Sequence, residues 1–108
     1  MKVVAFNGSA RKDGNTAILL KSVLKVLEEE GLETDLIQLA KENIRGCIAC
    51  KSCFETKNQR CILEDDNVNA YIQKMIGAEG ILLGSPTYFG MMSPDMKALI
   101  DRAGFVAR

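Results

Sequence analysis

The sequence has no histidine and no excess of either charge, with fourteen Lys and Arg residues against fourteen Asp and Glu residues. The lack of histidine disfavours a Ser-His-Asp triad and metal catalysis that depends on imidazole ligands. The balance of charges leaves no strong field to attract nucleic acid or an anionic membrane surface. We therefore expect neither nucleic acid nor a membrane among the partners of this protein.

Long hydrophobic runs are also lacking. The first residues, Met1 to Gly8, carry one positive charge and a hydrophobic stretch of only four residues, which is too short for a signal peptide. No later stretch is long enough to span a bilayer. These observations predict a cytoplasmic protein, in a compartment that keeps thiols reduced.

Cysteine is absent outside one short segment, which contains the four cysteines of the chain: Cys47, Cys50, Cys53 and Cys61. A C-x2-C-x2-C run brings three thiolates around a turn, and Cys61, after seven intervening residues, can fold back as a fourth ligand. Four soft ligands favour a single [4Fe-4S] cluster. Zinc is an alternative, although its sites usually contain two separated C-x2-C pairs or histidine. Cysteines without a metal are another, including a disulfide pair, which a reducing compartment disfavours.

Short apolar runs alternate with helical periodicity along the chain, which is typical of βαβ units around a parallel sheet. The apolar runs predict buried strands at residues 2–7 and 80–85, and residues 33–39 are predicted to be a further strand. The periodic segments predict helices at 16–30, at about 67–75, and from Ser93 and Pro94 onward. The cysteine segment interrupts this alternation as an irregular excursion, and so long a loop usually has a function.

Two of the predicted helices have apolar residues at the spacing i, i+3, i+4, i+7, which indicates one buried face. In the first helix these residues are Leu20, Val23, Leu24 and Leu27, and in the last they are Met96, Leu99, Ile100 and Ala103. Gly31 is expected to end the first helix. Asp65 and Asp66 precede the middle helix, where we expect them to be helix caps rather than catalytic groups.

The loop after the first strand, residues 8–16, is a candidate anion site. It leads into the first helix, where backbone N–H groups, the helix dipole, hydroxyls and the Arg11 guanidinium can face a phosphate. The loop matches neither the Walker A pattern nor G-x-G-x-x-G, so a ligand with one terminal phosphate fits better than a nucleoside triphosphate or a dinucleotide. The alternative is an ordinary turn in which Asn15 or Thr16 caps the helix and Arg11 is solvated.

The loop after the third strand, residues 84–92, is expected to meet the anion loop. In a doubly wound sheet of strand order 2-1-3, both loops lie at the switch point where flavodoxin-like folds bind FMN. Pro86 fixes a turn, Tyr88 and Phe89 offer flat apolar surface, and backbone N–H groups near Gly90 can reach ring nitrogens and oxygens. The alternative is a hydrophobic surface loop or an oligomer contact.

The whole sequence resembles the iron-sulfur flavoprotein family, a group within the larger NADPH-dependent FMN reductase-like set of flavodoxin folds. The resemblance is carried by Gly8-Ser9-Ala10-Arg11 with Gly14-Asn15-Thr16, the cysteine run, the Gly84 to Gly90 loop, and Lys97 through Asp101-Arg102. It implies an FMN phosphate held by Ser9, Arg11, Asn15 and Thr16. It further implies a flavin ring lying against Pro86, Thr87, Tyr88 and Phe89, and a [4Fe-4S] cluster on the four cysteines.

The activity that the resemblance implies is electron transfer between the cluster and FMN in a flavin-dependent oxidoreductase. It also implies a homo-oligomer in which the cluster and FMN of neighbouring chains come close. NAD(P)H or reduced ferredoxin is the expected donor, and a small molecule such as a quinone the expected acceptor. Three alternatives stay open: a cluster-free NAD(P)H-dependent FMN or quinone reductase, a non-catalytic flavodoxin-like electron carrier, and a flavin-free domain with structural zinc.

The chain contains three of the five strands that a flavodoxin-like domain needs. Strands 4 and 5 are missing, together with the flavin-contacting loop that the family carries after strand 4. We therefore expect residues 1–108 to be the N-terminal part of an FMN-binding domain, with the cysteine loop at about 45–63. The alternative is that another chain completes the sheet. The third strand would then be an unpaired apolar edge.

Overall fold

Three parallel strands form the central sheet of the protein, whose residues 1–107 are described by a computed structural model. The strands are β1 (Lys2–Asn7), β2 (Glu33–Gln38) and β3 (Gly80–Gly84). Their order in the sheet is β2-β1-β3. In the central strand, Val4 lies opposite Asp35 on one side and Ile81 on the other. This is the predicted strand order, in a mixed α/β architecture consistent with a flavodoxin-like fold.

The described residues also contain four helices and a two-stranded hairpin. The helices are α1 (Asn15–Glu29), α2 (Ser52–Thr56), α3 (Val68–Ile76) and α4 (Pro94–Ala107). The hairpin consists of β4 (Thr87–Tyr88) and β5 (Met91–Met92). The long predicted elements agree with these bounds to within the usual uncertainty of element ends. Helix α2 and the hairpin were not predicted, because elements of five and two residues carry almost no periodic signal.

Helix α1 covers one face of the sheet. The buried residues of this layer are Val3, Ala5, Leu20 and Leu24, with Leu27, Leu32, Leu36 and Leu82 packed against them. The prediction was wrong for Val23, whose side chain is 47% exposed. Ala17 is buried instead. The face that contacts the sheet is centred on residues 17, 20 and 24, so Val23 lies at its edge.

Helices α3 and α4 cover the other face. The buried cluster on this side consists of Val4, Phe6, Leu39, Val68, Tyr71, Ile72, Met96 and Leu99. The ring of Phe6 meets the ring of Tyr71 edge to face, with 5.7 Å between centroids. The predicted stripe on the last helix is confirmed, since Ile100 and Ala103 pack against the same cluster.

The outer edge of β3 is more exposed than the prediction of a buried strand allowed. Ile81 is 45% exposed and Leu83 is 47% exposed. Both lie on the face of the sheet that α3 and α4 cover, but at its edge, where those helices leave an apolar groove open. Within residues 1–107, β3 pairs with β1 alone, as expected for an unpaired edge.

The helix caps confirm the prediction for Ser93, whose hydroxyl accepts a hydrogen bond from the Met96 N–H at 3.2 Å. Asp66 lies one residue before Asn67, the N-cap residue of α3, and accepts a hydrogen bond from the Val68 N–H at 3.2 Å. Asp65 is not a cap. It lies two residues before the N-cap residue of α3, and its carboxylate instead contacts Arg45 at 3.3 Å. None of the helices described here has the length and apolar character needed to cross a membrane.

Candidate cofactor site

The loops that follow β1 and β3 meet at the carboxyl edge of the sheet. The Gly8 N–H donates a hydrogen bond to the Gly84 carbonyl at 2.8 Å. A Cβ atom at Gly8 would lie 2.9 Å from the Met96 Cβ, and one at Gly84 would lie 2.8 Å from the Leu20 Cδ1. Both positions therefore require glycine for the loops, α1 and α4 to approach this closely.

The loop of residues 8–16 is shaped by its own side chains. The Asn7 side chain accepts a hydrogen bond from the Ser9 N–H at 3.0 Å, and the Ser9 hydroxyl accepts one from the Arg11 N–H at 3.0 Å. Ser9 is buried, whereas Arg11 is exposed. The predicted phosphate-binding residues are thus divided, with Ser9 inside the loop and the Arg11 guanidinium on its outer surface.

The start of α1 has the features of an anion site. Its N-cap is Gly14, and no side chain caps it. The Ile18 N–H is bonded to the Gly14 carbonyl at 3.0 Å, so the N–H groups of Asn15, Thr16 and Ala17 precede the first intrahelical bond. The alternative interpretation is wrong about the cap, since neither Asn15 nor Thr16 is in the capping position, but Arg11 is exposed as that alternative expected.

The loop after β3 forms a hairpin with a tight turn at Phe89 and Gly90. Both turn residues have positive φ, 46° and 81°. This conformation is costly for phenylalanine, whose side chain is fully exposed here. Pro86 is half-buried, while Thr87 and Tyr88 are exposed. The Tyr88 hydroxyl accepts a hydrogen bond from the Ala10 N–H at 3.3 Å, which brings it to the anion loop.

The four cysteines line one small apolar pocket of about 80 Å³, together with Phe54, Leu63, Arg102 and Phe105. All four are free cysteines, of which Cys47 and Cys50 are exposed. The Cys47 sulfur accepts a hydrogen bond from the Ala49 N–H at 3.4 Å. Hydrogen bonds from the side chain and backbone of Ser52 lower the pKa of the Cys50 thiol. Within residues 1–107, no three Cys, Asp or Glu side chains converge closely enough to hold a metal ion.

Three polar residues beside this pocket were not predicted to serve it: Asp66, Asn69 and Arg102. Arg102 is only 1% exposed, and its Nε donates a hydrogen bond to the Cys61 sulfur at 3.4 Å. Asn69 accepts a hydrogen bond from the Cys61 N–H at 2.7 Å. The sequence does hold a signal for both, because Arg102 follows Leu99 by three residues and Asn69 precedes Ile72 by three, on the apolar faces of their helices.

The ion pair between Asp66 and Arg102 is buried, at 2.5 Å. Burial alone would raise the pKa of Asp66. The hydrogen bonds from Arg102 and from the Arg45 and Val68 N–H groups outweigh that effect and hold the pKa below its ordinary value. Burial likewise acts to lower the pKa of Arg102, but its bonds to Asp66 and Cys61 raise it. Both groups are therefore charged at neutral pH.

The parallel β2-β1-β3 sheet, the helices on both faces and the meeting of two loops at the switch point define an α/β protein of the flavodoxin-like class. Comparison with known families is more specific. The chain matches the NADPH-dependent FMN reductase family over residues 1–108, and it belongs to that family.

Several curated relatives carry the name iron-sulfur flavoprotein, and three of the most similar are compared below. The chain is 44% identical to one from Methanocaldococcus jannaschii over 103 residues, covering 95% of this chain and 52% of the relative. It is 36% identical to one from Archaeoglobus fulgidus over 103 residues, covering 95% and 49%. It is 34% identical to one from Methanosarcina thermophila over 108 residues, covering 100% and 55%. The predicted resemblance is confirmed, and the chain spans about half the length of the curated relatives it matches.

Proposed function

We propose that the protein is a flavin-dependent oxidoreductase that passes electrons between FMN and a [4Fe-4S] cluster. FMN would lie at the carboxyl edge of the sheet, in the N-terminal part of an FMN-binding domain. The cluster would be held by the four cysteines of the 45–63 loop. Family membership and the names of the three relatives support this proposal.

The observation that carries the proposal is that helix α4 contacts both sites. Its first turn packs against the anion loop, because Met96 and Ser93 leave no room for a side chain at Gly8. Six residues later, Arg102 is bonded to the Cys61 sulfur. Six residues correspond to about 9 Å along a helix axis. One rigid element therefore fixes the separation between the flavin site and the cysteine pocket.

The anion loop would bind the FMN phosphate through backbone and side chains together. The N–H groups at the start of α1, including those of Asn15 and Thr16, point out of the helix at the positive end of its dipole. Arg11 is exposed, so a change of rotamer would bring its guanidinium to the phosphate bound at these N–H groups. The Ser9 hydroxyl accepts the Arg11 N–H with its oxygen and still has its hydrogen to donate.

The hairpin would bind the flavin ring. Pro86, Thr87, Tyr88 and Phe89 present apolar and aromatic surface at the sheet edge, three of them exposed. The turn at Gly90 leaves backbone N–H groups for the polar edge of the ring. The Tyr88 hydroxyl accepts a hydrogen bond from the Ala10 N–H, which supports a ring site that would be adjacent to the phosphate site.

The cysteine pocket fits an iron-sulfur cluster in its donor chemistry. It contains four thiols and no imidazole, in an apolar surround with N–H donors directed at two of the sulfurs. When bound, FMN exchanges a hydride or single electrons and the cluster exchanges single electrons. The residues of this chain supply binding, orientation and fixed charge. No acid-base residue is required.

The partners follow from the same chemistry. We propose NAD(P)H or reduced ferredoxin as donor and a small molecule such as a quinone as acceptor. We also propose a homo-oligomer, which the exposed apolar residues of α1 support: Ile18, Leu19, Val23 and Val26. Sedimentation of the purified protein tests this, and a monomer at micromolar concentration would contradict it.

The deciding experiment is cofactor analysis of the protein purified without oxygen. We expect about one FMN and about four iron atoms with matching sulfide per chain, and a broad cluster absorption beneath the flavin bands. Zinc without flavin would overturn the proposal. The variant Ser22→Ala changes an exposed residue of α1 outside both loops, so it is the control for loss of cofactor during purification and should retain both cofactors.

A cluster-free NAD(P)H-dependent FMN or quinone reductase is the second candidate, because no three sulfurs of the described residues are arranged as metal ligands. The variant Cys61→Ser separates the two. A cluster-free reductase keeps its rate of NAD(P)H oxidation with a quinone in this variant. The proposed enzyme loses iron and electron exchange with ferredoxin while it retains FMN. Electron exchange with ferredoxin alone, without turnover of small acceptors, would indicate a non-catalytic carrier.

A further inference from the structure

Arg102 is a buried cation whose guanidinium donates hydrogen bonds to other groups besides Asp66, its partner in the ion pair. Its Nη1 donates to the Arg45 carbonyl at 3.1 Å and to the Asp66 carboxylate, and its Nη2 donates to the Leu63 carbonyl at 2.8 Å. These bonds already satisfy the charge and both ends of the guanidinium. The Nε–H is left for the Cys61 sulfur, at 3.4 Å. The planar guanidinium thus donates hydrogen bonds to backbone carbonyls before and after the four cysteines, and to the sulfur of Cys61 itself.

Cys61 is also held through its backbone by a second helix. Asn69 of α3 accepts a hydrogen bond from the Cys61 N–H at 2.7 Å and donates one to the Cys61 carbonyl at 2.9 Å. Asn69 is 5% exposed, so both bonds are shielded from water. By contrast, Cys47 and Cys50 lie on exposed loop before α2. Cys53 lies within α2, whereas Cys61 lies outside the helices and is held by side chains of both α3 and α4.

We propose that Arg102 is the positioning residue for the Cys61 ligand of the cluster, and that its charge raises the reduction potential of the cluster. This inference rests on the proposed function. An N–H donor to a ligand sulfur orients that ligand and withdraws charge from it. The reduced cluster holds one more electron than the oxidised one, so a nearby cation favours the reduced form. The negative charge of Asp66 acts in the opposite direction and lowers the reduction potential, because its carboxylate is paired with the same guanidinium.

The test uses anaerobically assembled protein and three variants. Arg102→Gln removes the charge and the fork, Arg102→Lys keeps the charge without the Nε–H, and Asp66→Asn removes the opposing carboxylate while Arg102 remains. The measurements are the midpoint potential of the cluster in a redox titration, the rate at which an iron chelator removes iron, and the FMN content. Arg102 lies beside the cysteines rather than the anion loop, so FMN content reports correct folding.

We expect Arg102→Gln to lower the potential and to speed iron release by about 10- to 100-fold. Arg102→Lys should lower the potential less and release iron as fast as the Gln variant. Asp66→Asn should shift the potential upward. A purely structural role for the ion pair would not move the potential in opposite directions when its two halves are removed. Opposite shifts therefore support the inference.

Unchanged potential and iron release in Arg102→Gln would overturn the inference while the proposed function stands. If the Gln variant does not accumulate, Arg102→Lys decides in its place, and wild-type values of both quantities in the Lys variant would overturn the inference. An iron-free wild-type protein would overturn the proposed function, and this inference with it. The two failures are thus distinguished by the iron content of the wild type.

Discussion

The hydroxyl of Tyr88 accepts a hydrogen bond from the backbone N–H of Ala10 across 3.3 Å, although 78 positions separate the two residues. This bond joins the loop after β3 to the loop after β1. It also places the Tyr88 hydroxyl against the loop that is proposed to bind the FMN phosphate. A side chain at the junction of the ring site and the phosphate site should therefore affect FMN affinity more than folding.

Substitution of Tyr88 tests this junction. Tyr88→Ala removes the ring and should weaken FMN binding by about tenfold, because one aromatic contact contributes ~1.5 kcal/mol to the binding free energy. Tyr88→Phe keeps the ring and should stay within about threefold of wild type. Flavin fluorescence titration measures both. Since Tyr88 is exposed, thermal unfolding should change little. Equal FMN affinity in wild type and Tyr88→Ala would count against the assigned pocket.

Arg11 and its neighbour Lys12 form a matched pair, since both are exposed cations of the anion loop. Arg11→Ala should weaken FMN binding by about 10- to 100-fold, because a charge-assisted bond to phosphate contributes ~1.5 to 3 kcal/mol. Lys12→Ala should have a much smaller effect. Riboflavin lacks the phosphate, so its affinity should be the same in both variants and in wild type. An equal loss of riboflavin binding in Arg11→Ala would place Arg11 at the ring instead.

Gly84 should tolerate no side chain. A Cβ there would lie 2.8 Å from the Leu20 Cδ1 and 3.0 Å from the Thr16 Cγ2, so Gly84→Ala pushes α1 away from the sheet. We expect a loss of about 1 to 3 kcal/mol in the free energy of unfolding by urea. Gly104→Ala is the control, because nothing lies within 4 Å of its Cβ position in α4. Helix propensity predicts a gain of up to ~1 kcal/mol there. Similar effects of the two variants would contradict the close approach at Gly84.

Asp66 should make stability depend on acid pH. Burial acts to raise its folded pKa, but the hydrogen bonds from Arg102 and two backbone N–H groups outweigh burial and hold the pKa below the ordinary value of 3.8. Its contribution is therefore fully present above about pH 4 and is lost as pH falls through the lowered pKa. Asp66→Asn leaves Arg102 buried without its partner. We expect it to lose about 3 kcal/mol at neutral pH and to have a flatter acid profile.

Urea unfolding at several pH values below neutrality measures these profiles. Asp65→Asn is the control, because the side chain of Asp65 is 60% exposed and its ion pair with Arg45 lies at the surface. That variant should stay within about 0.5 kcal/mol of wild type. Parallel acid profiles for wild type and Asp66→Asn would show that Asp66 does not carry the pH dependence.

The elements that were predicted correctly are those whose signal lies in residues adjacent in the sequence. Val3 to Phe6 form a continuous apolar run, and Ser93-Pro94 is a helix start that needs no tertiary partner, so the strand and the helix were predicted correctly. Val23 was wrong because the helical pattern alone does not decide where the buried face is centred. Ile81 and Leu83 were wrong because an apolar run indicates burial but not whether a neighbouring element extends far enough to cover it.

The sequence by itself determined the three strand segments, the loops that follow the first and third of them, and the cysteine set, because hydrophobic period and cysteine spacing are properties of neighbouring residues. Only the tertiary structure decided that Arg102 contacts the sulfur of Cys61, 41 positions away, and that Asn69 holds its backbone. Such contacts depend on how α3 and α4 pack beside the cysteine loop. A buried guanidinium donates hydrogen bonds to the acceptors that this packing brings close to it. No local sequence pattern specifies which sulfur will be among those acceptors.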